Sequence, residues 1–149
     1  SMRNCLTDYE FTQEVSAEYF TYMTDWLLNW HRRDSSMTFS VVLIDFNEPA
    51  ALGNALGAAY AMDLIRRLGR EVASNLRSTD LLCRVRASTF WVLLPQGAPS
   101  IVLNKIEPIL AAAREDGLAA SQLLIGKICV PEDMHANITA LELFDRMRK

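Results

Sequence analysis

Apolar residues along this chain recur with two different periods, and the changes of period mark its elements. From about Asp8 to Arg33, Phe11, Val15, Tyr19, Phe20, Met23, Trp26, Leu27 and Trp30 return at helical steps. That spacing predicts an amphipathic helix whose stripe packs into a core or against a twin domain. His31-Arg32-Arg33 closes it with cations suited to the negative end of the helix dipole, and Asp34-Ser35-Ser36 breaks the chain. Thr38 to Phe46 is then almost continuously apolar and rich in β-branched side chains, which predicts a central strand covered on both faces. Asn47-Glu48-Pro49 reads as a turn, with Pro49 opening the next helix. Leu52, Ala55, Leu56, Ala59, Met62, Ile65, Leu68, Val72 and Leu76 carry that helix to about Leu76. Gly53 and Gly57 weaken its start by about 1 kcal/mol each relative to alanine.

Leu81 to Val85 and Thr89 to Leu94 predict the two strands of a hairpin, closed off by Pro95-Gln96-Gly97. Ile101 to Glu115 predicts a helix that Pro108 interrupts or delays; Gln122 to Val130 predicts another buried strand, and Asn137 to Met147 a last helix. The order is therefore α-β-α-β-β-α-β-α. A hairpin inside an otherwise alternating chain implies an α+β fold of the α/β-sandwich type, with a mixed, largely antiparallel central sheet flanked by helices. With no repeat, low-complexity tract or linker, residues 1–149 are expected to form one domain. The opening Ser1-Met2 is expected to be the scar of excision from a longer protein.

Composition narrows the function classes. Half the residues are apolar and 22% are charged, the balance of a globular domain and not of a disordered one. A net charge of −3 gives no bulk attraction for nucleic acid, so any site for a polyanion has to be a local patch. No apolar stretch approaches the roughly 18 residues of a membrane helix. Cys5, Cys83 and Cys129 form an odd set without metal-ligand spacing, as expected of reduced thiols in a cytoplasmic protein or in the cytosolic part of a larger, membrane-anchored one.

The stretch richest in candidate chemistry is Arg77-Ser-Thr-Asp80-Leu-Leu-Cys83-Arg84-Val-Arg86-Ala87-Ser88-Thr89-Phe90, a charged pair followed by a tight bend. Together with Asp45 at the end of the first strand, it resembles the GGDEF family of diguanylate cyclases. Members of that family carry a strand ending in D-x-D-x-F-K-x-x-N-D, then G-H-x-x-G-D, R-x-x-D, and R-x-G-G-D-E-F with a proline beyond. Without a gap, those motifs fall here on Asp45 to Asn54, Gly57 to Met62, Arg77 to Asp80, and Arg84 to Phe90 with Pro95. Leu6-Thr7 is similar to the start of the family's first helix, without the G-L-x-N-R that follows it there. The resemblance covers nearly the whole chain, is closest from Phe39 to Pro95, and implies a sheet of the nucleotide-cyclase palm type.

What the resemblance implies about activity is mostly loss. Family members join two GTP molecules across two facing domains, using divalent metal held by hard carboxylates. Asp45 survives, but the signature acid falls on Ser88 and its acidic neighbour on Thr89, so no magnesium is expected. The guanine-reading positions fall on Gly53 and Met62, which offer a base no side-chain hydrogen bond. Glu48 adds a charge that repels phosphate, Pro49 removes an N–H donor, and the two glycines of the hairpin are Arg86 and Ala87. Cyclase activity is not expected.

The R-x-x-D element is the family's inhibitory site, where cyclic di-GMP binds, the arginine meeting phosphate or guanine and the aspartate accepting from a guanine edge. Here it is intact as Arg77 and Asp80. The resemblance also implies a further basic residue, for which Lys105, Arg32, Arg33 and Arg84 are the candidates. The expectation is a non-catalytic receptor that binds cyclic di-GMP and signals to attached domains or partners. Its competitor is a ligand-independent dimerisation or protein-interaction module of the same fold. Simpler roles stay open for single residues. Arg77 and Asp80 could be a surface ion pair worth under about 1 kcal/mol. Asp45 could be a strand-end cap, Arg84 and Arg86 solvated hairpin residues, and Cys83 a buried thiol.

Overall fold

The seven residues of β1 (Phe39–Asp45) show why their run is apolar on both parities. Phe39, Val41 and Leu43 enter one core while Val42 and Ile44 enter another, as strand alternation requires. The computed structural model describes residues 14–149. In it β1 lies between β3 (Thr89–Pro95) and β4 (Leu124–Val130), and β2 (Leu81–Arg86) pairs with the outer side of β3. The order is β2-β3-β1-β4, and every strand pair is antiparallel. The expected α+β class is met by a fully antiparallel open sheet. Helices α1 (Ala17–Arg33) and α5 (Ala140–Met147) cover one face. The other face carries α2 (Pro49–Leu56), α3 (Ala58–Ser74) and α4 (Ser100–Glu115). Among the described residues no helix is long and apolar enough to cross a membrane.

Several boundaries differ from those the sequence predicts. The helix expected from about Asp8 begins at Ala17, after Ser16 caps it by accepting the Tyr19 N–H at 3.1 Å. Val15 instead donates its N–H to the Leu82 carbonyl at 2.9 Å, tying the entering chain to the sheet edge. The expectations at Ser1-Met2, Cys5, Leu6-Thr7 and Phe11 lie outside the described residues. The helix expected to reach Leu76 is two helices, because Gly57 adopts φ 90°, a conformation that glycine tolerates and that ends a helix. Pro108 neither interrupts nor delays α4; it is exposed, as is Asn104, whose carbonyl loses the N–H partner that proline lacks. A short 3-10 turn at Ala120–Gln122 delays β4 to Leu124. Capping by Thr139 and by the Asp25 carboxylate starts α5 at Ala140.

The aromatic stripe of α1 also departs from its expected place. Phe20, Thr24, Leu27 and Leu28 are the buried residues of the helix. Tyr19, Trp26 and Trp30 remain 47%, 44% and 39% exposed. Tyr19, Met23, Trp26 and Trp30 share the helical spacing of the buried set but lie about a third of a turn away from it. They are a second stripe, alongside the core and not within it.

Candidate ligand site at the turn before the hairpin

Between α3 and β2 the chain turns on a single buried carboxylate. Asp80 has no exposed side-chain surface, and its Oδ2 accepts the Arg77 backbone N–H at 2.8 Å. The Arg77 guanidinium then folds back onto the same carboxylate, Nη2 donating to Oδ1 at 2.9 Å and Nε to Oδ2 at 3.2 Å. This two-pronged contact fixes the plane of the guanidinium. Nη2 also donates to the Pro95 carbonyl at 2.6 Å, so the arginine bridges its turn to the end of the hairpin. The hydrogen bond to Asp80 raises the arginine's pKa further above its already high value, which keeps it cationic. Its side chain is 45% exposed. A methyl group at Gly97 would come within 2.8 Å of Nη2, so the glycine after the hairpin makes room for this bridge.

Burial assigns the two residues different parts. Asp80 was expected to accept from a guanine edge, yet it presents no exposed atom and both its oxygens are taken by Arg77. Its carboxylate orients the guanidinium, and of the two side chains only that of Arg77 is exposed. The groove beside Arg77 has a volume of about 540 Å³ and is walled on its far side by Tyr19, Met23, Trp26 and Trp30. Nothing in the motif pointed to this wall; the angular offset of the second stripe on α1 is the signal that could have found it.

The other candidate basic residues are scattered. Lys105 lines a separate hollow with Arg67 and Arg70. Arg84 projects from the opposite sheet face, its guanidinium carbon 5.0 Å from the centre of the Phe90 ring. Its Nε lies 2.9 Å from Glu14 Oε1 but is not aligned to donate, so that contact is ionic without being a hydrogen bond. Arg32 is engaged by the Ala136 carbonyl and Asn29. Arg33 is exposed and lines a second hollow, against Trp26 and Trp30.

The positions expected to have lost catalytic chemistry gather at the far end of the sheet. Asp45 pairs with Thr89 in register, and the Thr89 hydroxyl donates to Asp45 Oδ1 at 2.8 Å. Ser88 is buried and its carbonyl accepts the Phe46 N–H at 3.0 Å, while Arg86 and Ala87 stand exposed at the tip. Pro49 is the first residue of α2, Glu48 precedes it without a side-chain capping bond, Gly53 lies within α2, and Met62 on α3 is 62% exposed. Phe39 pairs with Pro95 and Asp45 with Thr89, so β1 runs from the Arg77 end to the Asp45 end. At strand rise its length separates the two constellations by roughly 20 Å.

A family model described as "Diguanylate cyclase, GGDEF domain" matches residues 15–141. The GGDEF domain of YfiN (TpbB) from Pseudomonas aeruginosa shares the fold with a TM-score of 0.62 at 22% identity, over 90% of this chain and 85% of that one. The GGDEF domain of DgcB from Caulobacter crescentus, solved in complex with c-di-GMP, gives 0.64 at 14% identity, over 93% of this chain and 81% of that one. An uncharacterised protein of Synechocystis sp. is 31% identical over 62 residues, which are 42% of this chain and 9% of that protein.

Proposed function

This chain belongs to the GGDEF domain family of diguanylate cyclases, and we propose that it is a non-catalytic member, a receptor that binds cyclic di-GMP through Arg77 and signals to attached domains or partners. The observation that carries this reading is the preorganised guanidinium. A buried Asp80 and the Pro95 carbonyl hold it in one plane while nearly half of the side chain stays open to a groove. Asp80 and Pro95 take three of its five N–H groups, and the two on Nη1 remain to donate to a phosphodiester or to the acceptor edge of guanine. The relative from Caulobacter crescentus, in complex with c-di-GMP, makes that dinucleotide the natural first ligand.

The far end of the sheet supports the non-catalytic half of the proposal. Magnesium chemistry on this fold needs hard oxygen ligands converging on one point. The donors at hand are Asp45, already accepting from Thr89, the exposed Glu48, and the hydroxyl of a buried serine, and among the described residues no three acidic, His or Cys side chains converge. This set does not suit the metal.

Isothermal calorimetry with cyclic di-GMP tests the reading. Binding is expected at micromolar Kd or tighter, and Arg77→Ala is expected to weaken it by on the order of tenfold to a hundredfold. Asp80→Ala should weaken it through loss of the anchor, with circular dichroism confirming that both variants fold. Incubation with GTP and magnesium should yield no cyclic product. The absence of binding heat with the unaltered protein would refute the receptor role, and magnesium-dependent consumption of GTP would refute the non-catalytic one.

A further inference from the structure

Trp26 and Trp30 form a wall with a hollow on each side. One hollow is the groove bounded by Arg77, and the other is bounded by Arg33 and Asp34, so the cation without an acid beside it in the lining is Arg77. The two indoles meet edge to face, centroids 5.0 Å apart and planes at 74°, so each fixes the orientation of the other. Both lie on a regular helix whose buried residues point elsewhere, and both keep about two fifths of their surface exposed. We propose that this wall is a stacking platform for the purine rings of an anionic nucleotide whose phosphate is held by Arg77. The inference rests on the receptor reading and deepens it, because it supplies from α1 the ligand contacts that the R-x-x-D turn alone does not have.

The chemistry of the lining selects this occupant. A purely apolar partner segment would gain little from arginines at the margins of both hollows. A ligand that is aromatic and anionic at once uses both kinds of lining in the groove: the indoles, with Leu27, Met37 and Leu93, for its rings, and the Arg77 guanidinium for its phosphate. Gln96 stands at the lip of the groove beside Arg77, its amide donating to the Ser36 carbonyl at 3.0 Å. About 540 Å³ is ample for one base with its sugar and phosphate, within the range of small-molecule sites.

The platform reports on itself. The chain has three tryptophans, and Trp91 is only 4% exposed, so a ligand stacking on the surface changes the emission of Trp26 and Trp30. Titrating the whole chain with cyclic di-GMP should quench tryptophan fluorescence saturably, with the Kd that calorimetry gives. Trp30→Ala and Trp26→Ala should each weaken binding by on the order of tenfold, while Trp30→Phe keeps most of the affinity. Both positions are partly exposed, and a thermal melt checks that the variants fold. Calorimetric binding without quenching, and with unchanged affinity in both alanine variants, would overturn the platform while leaving the receptor role intact. No binding at all removes both. Quenching that follows protein concentration without ligand and vanishes in Trp30→Ala would overturn the proposal in favour of a second copy covering the groove.

Discussion

Asp80 is a carboxylate with no exposed surface and three hydrogen bonds from one arginine, and that arrangement decides what each partner can do. Leaving a buried carboxylate with fewer donors costs about 1–3 kcal/mol or more. Arg77→Ala is therefore expected to lower stability as well as affinity, which is why its folding must be checked. Gly97 offers a second probe. A methyl group there meets the far end of the flexible Arg77 side chain at 2.8 Å, and Leu94 Cβ at 3.1 Å. The same Nη2 holds both the Pro95 carbonyl and Asp80 Oδ1, so displacing it loosens both bonds. Gly97→Ala should weaken cyclic di-GMP binding several-fold and also lower the melting temperature, because the buried carboxylate loses part of its pairing. Affinity equal to that of the unaltered protein would show that the bridge to Pro95 has no part in recognition. The pairing of Arg77 with Asp80 was legible in the sequence because three residues on a turn bring such side chains together. The burial of Asp80 was not, since it depends on chain segments distant in sequence.

At the scale of elements, strands were more legible than helices. Continuous apolar runs such as that of β1 leave little choice once both faces are covered, and the hairpin strands fall within a residue or so of their expected limits. Helical periodicity cannot see a break at which the spacing of apolar residues resumes in phase. Gly57 is that case: apolar residues recur on either side of it, and the positive φ separates α2 from α3. Pro108 is the converse, a breaker that the helix absorbs because its side of α4 faces water. A helix interior disfavours proline by up to about 3 kcal/mol relative to alanine. Pro108→Ala is therefore expected to stabilise the domain by about 1–3 kcal/mol in urea unfolding, with the slope of the transition unchanged. An unaltered midpoint would mean that the ring at this position contributes packing equal to the backbone cost. The stripes of α1 carry the same lesson about phase, since one list of apolar residues contained two faces with different destinations.

Across the whole molecule, the sheet holds its two constellations at opposite ends, so one can change without disturbing the other. Asp45, Ser88 and Thr89 close their end with internal hydrogen bonds. The Arg77 end meets α1 across an open groove. The family resemblance located both ends in sequence, but it did not show that the first helix forms a wall of the groove at the Arg77 end. A ligand seated there would tie α1, the turn from Arg77 to Asp80, and the segment from Pro95 to Gly97 into one unit. Linkage then raises stability by about 2.7 kcal/mol when free ligand reaches a hundred times Kd. Hydrogen exchange should place the gain: slowed amides in the C-terminal half of α1, around Asp80, and at Gln96 and Gly97. The hairpin tip and the start of α2 should be little changed, since they lie roughly 20 Å away along β1. Protection centred instead on Glu48, Gly53 and the tip would move the ligand to the opposite end and overturn the assignment to Arg77. The expected pattern would make α1 the element through which occupancy of the groove is transmitted.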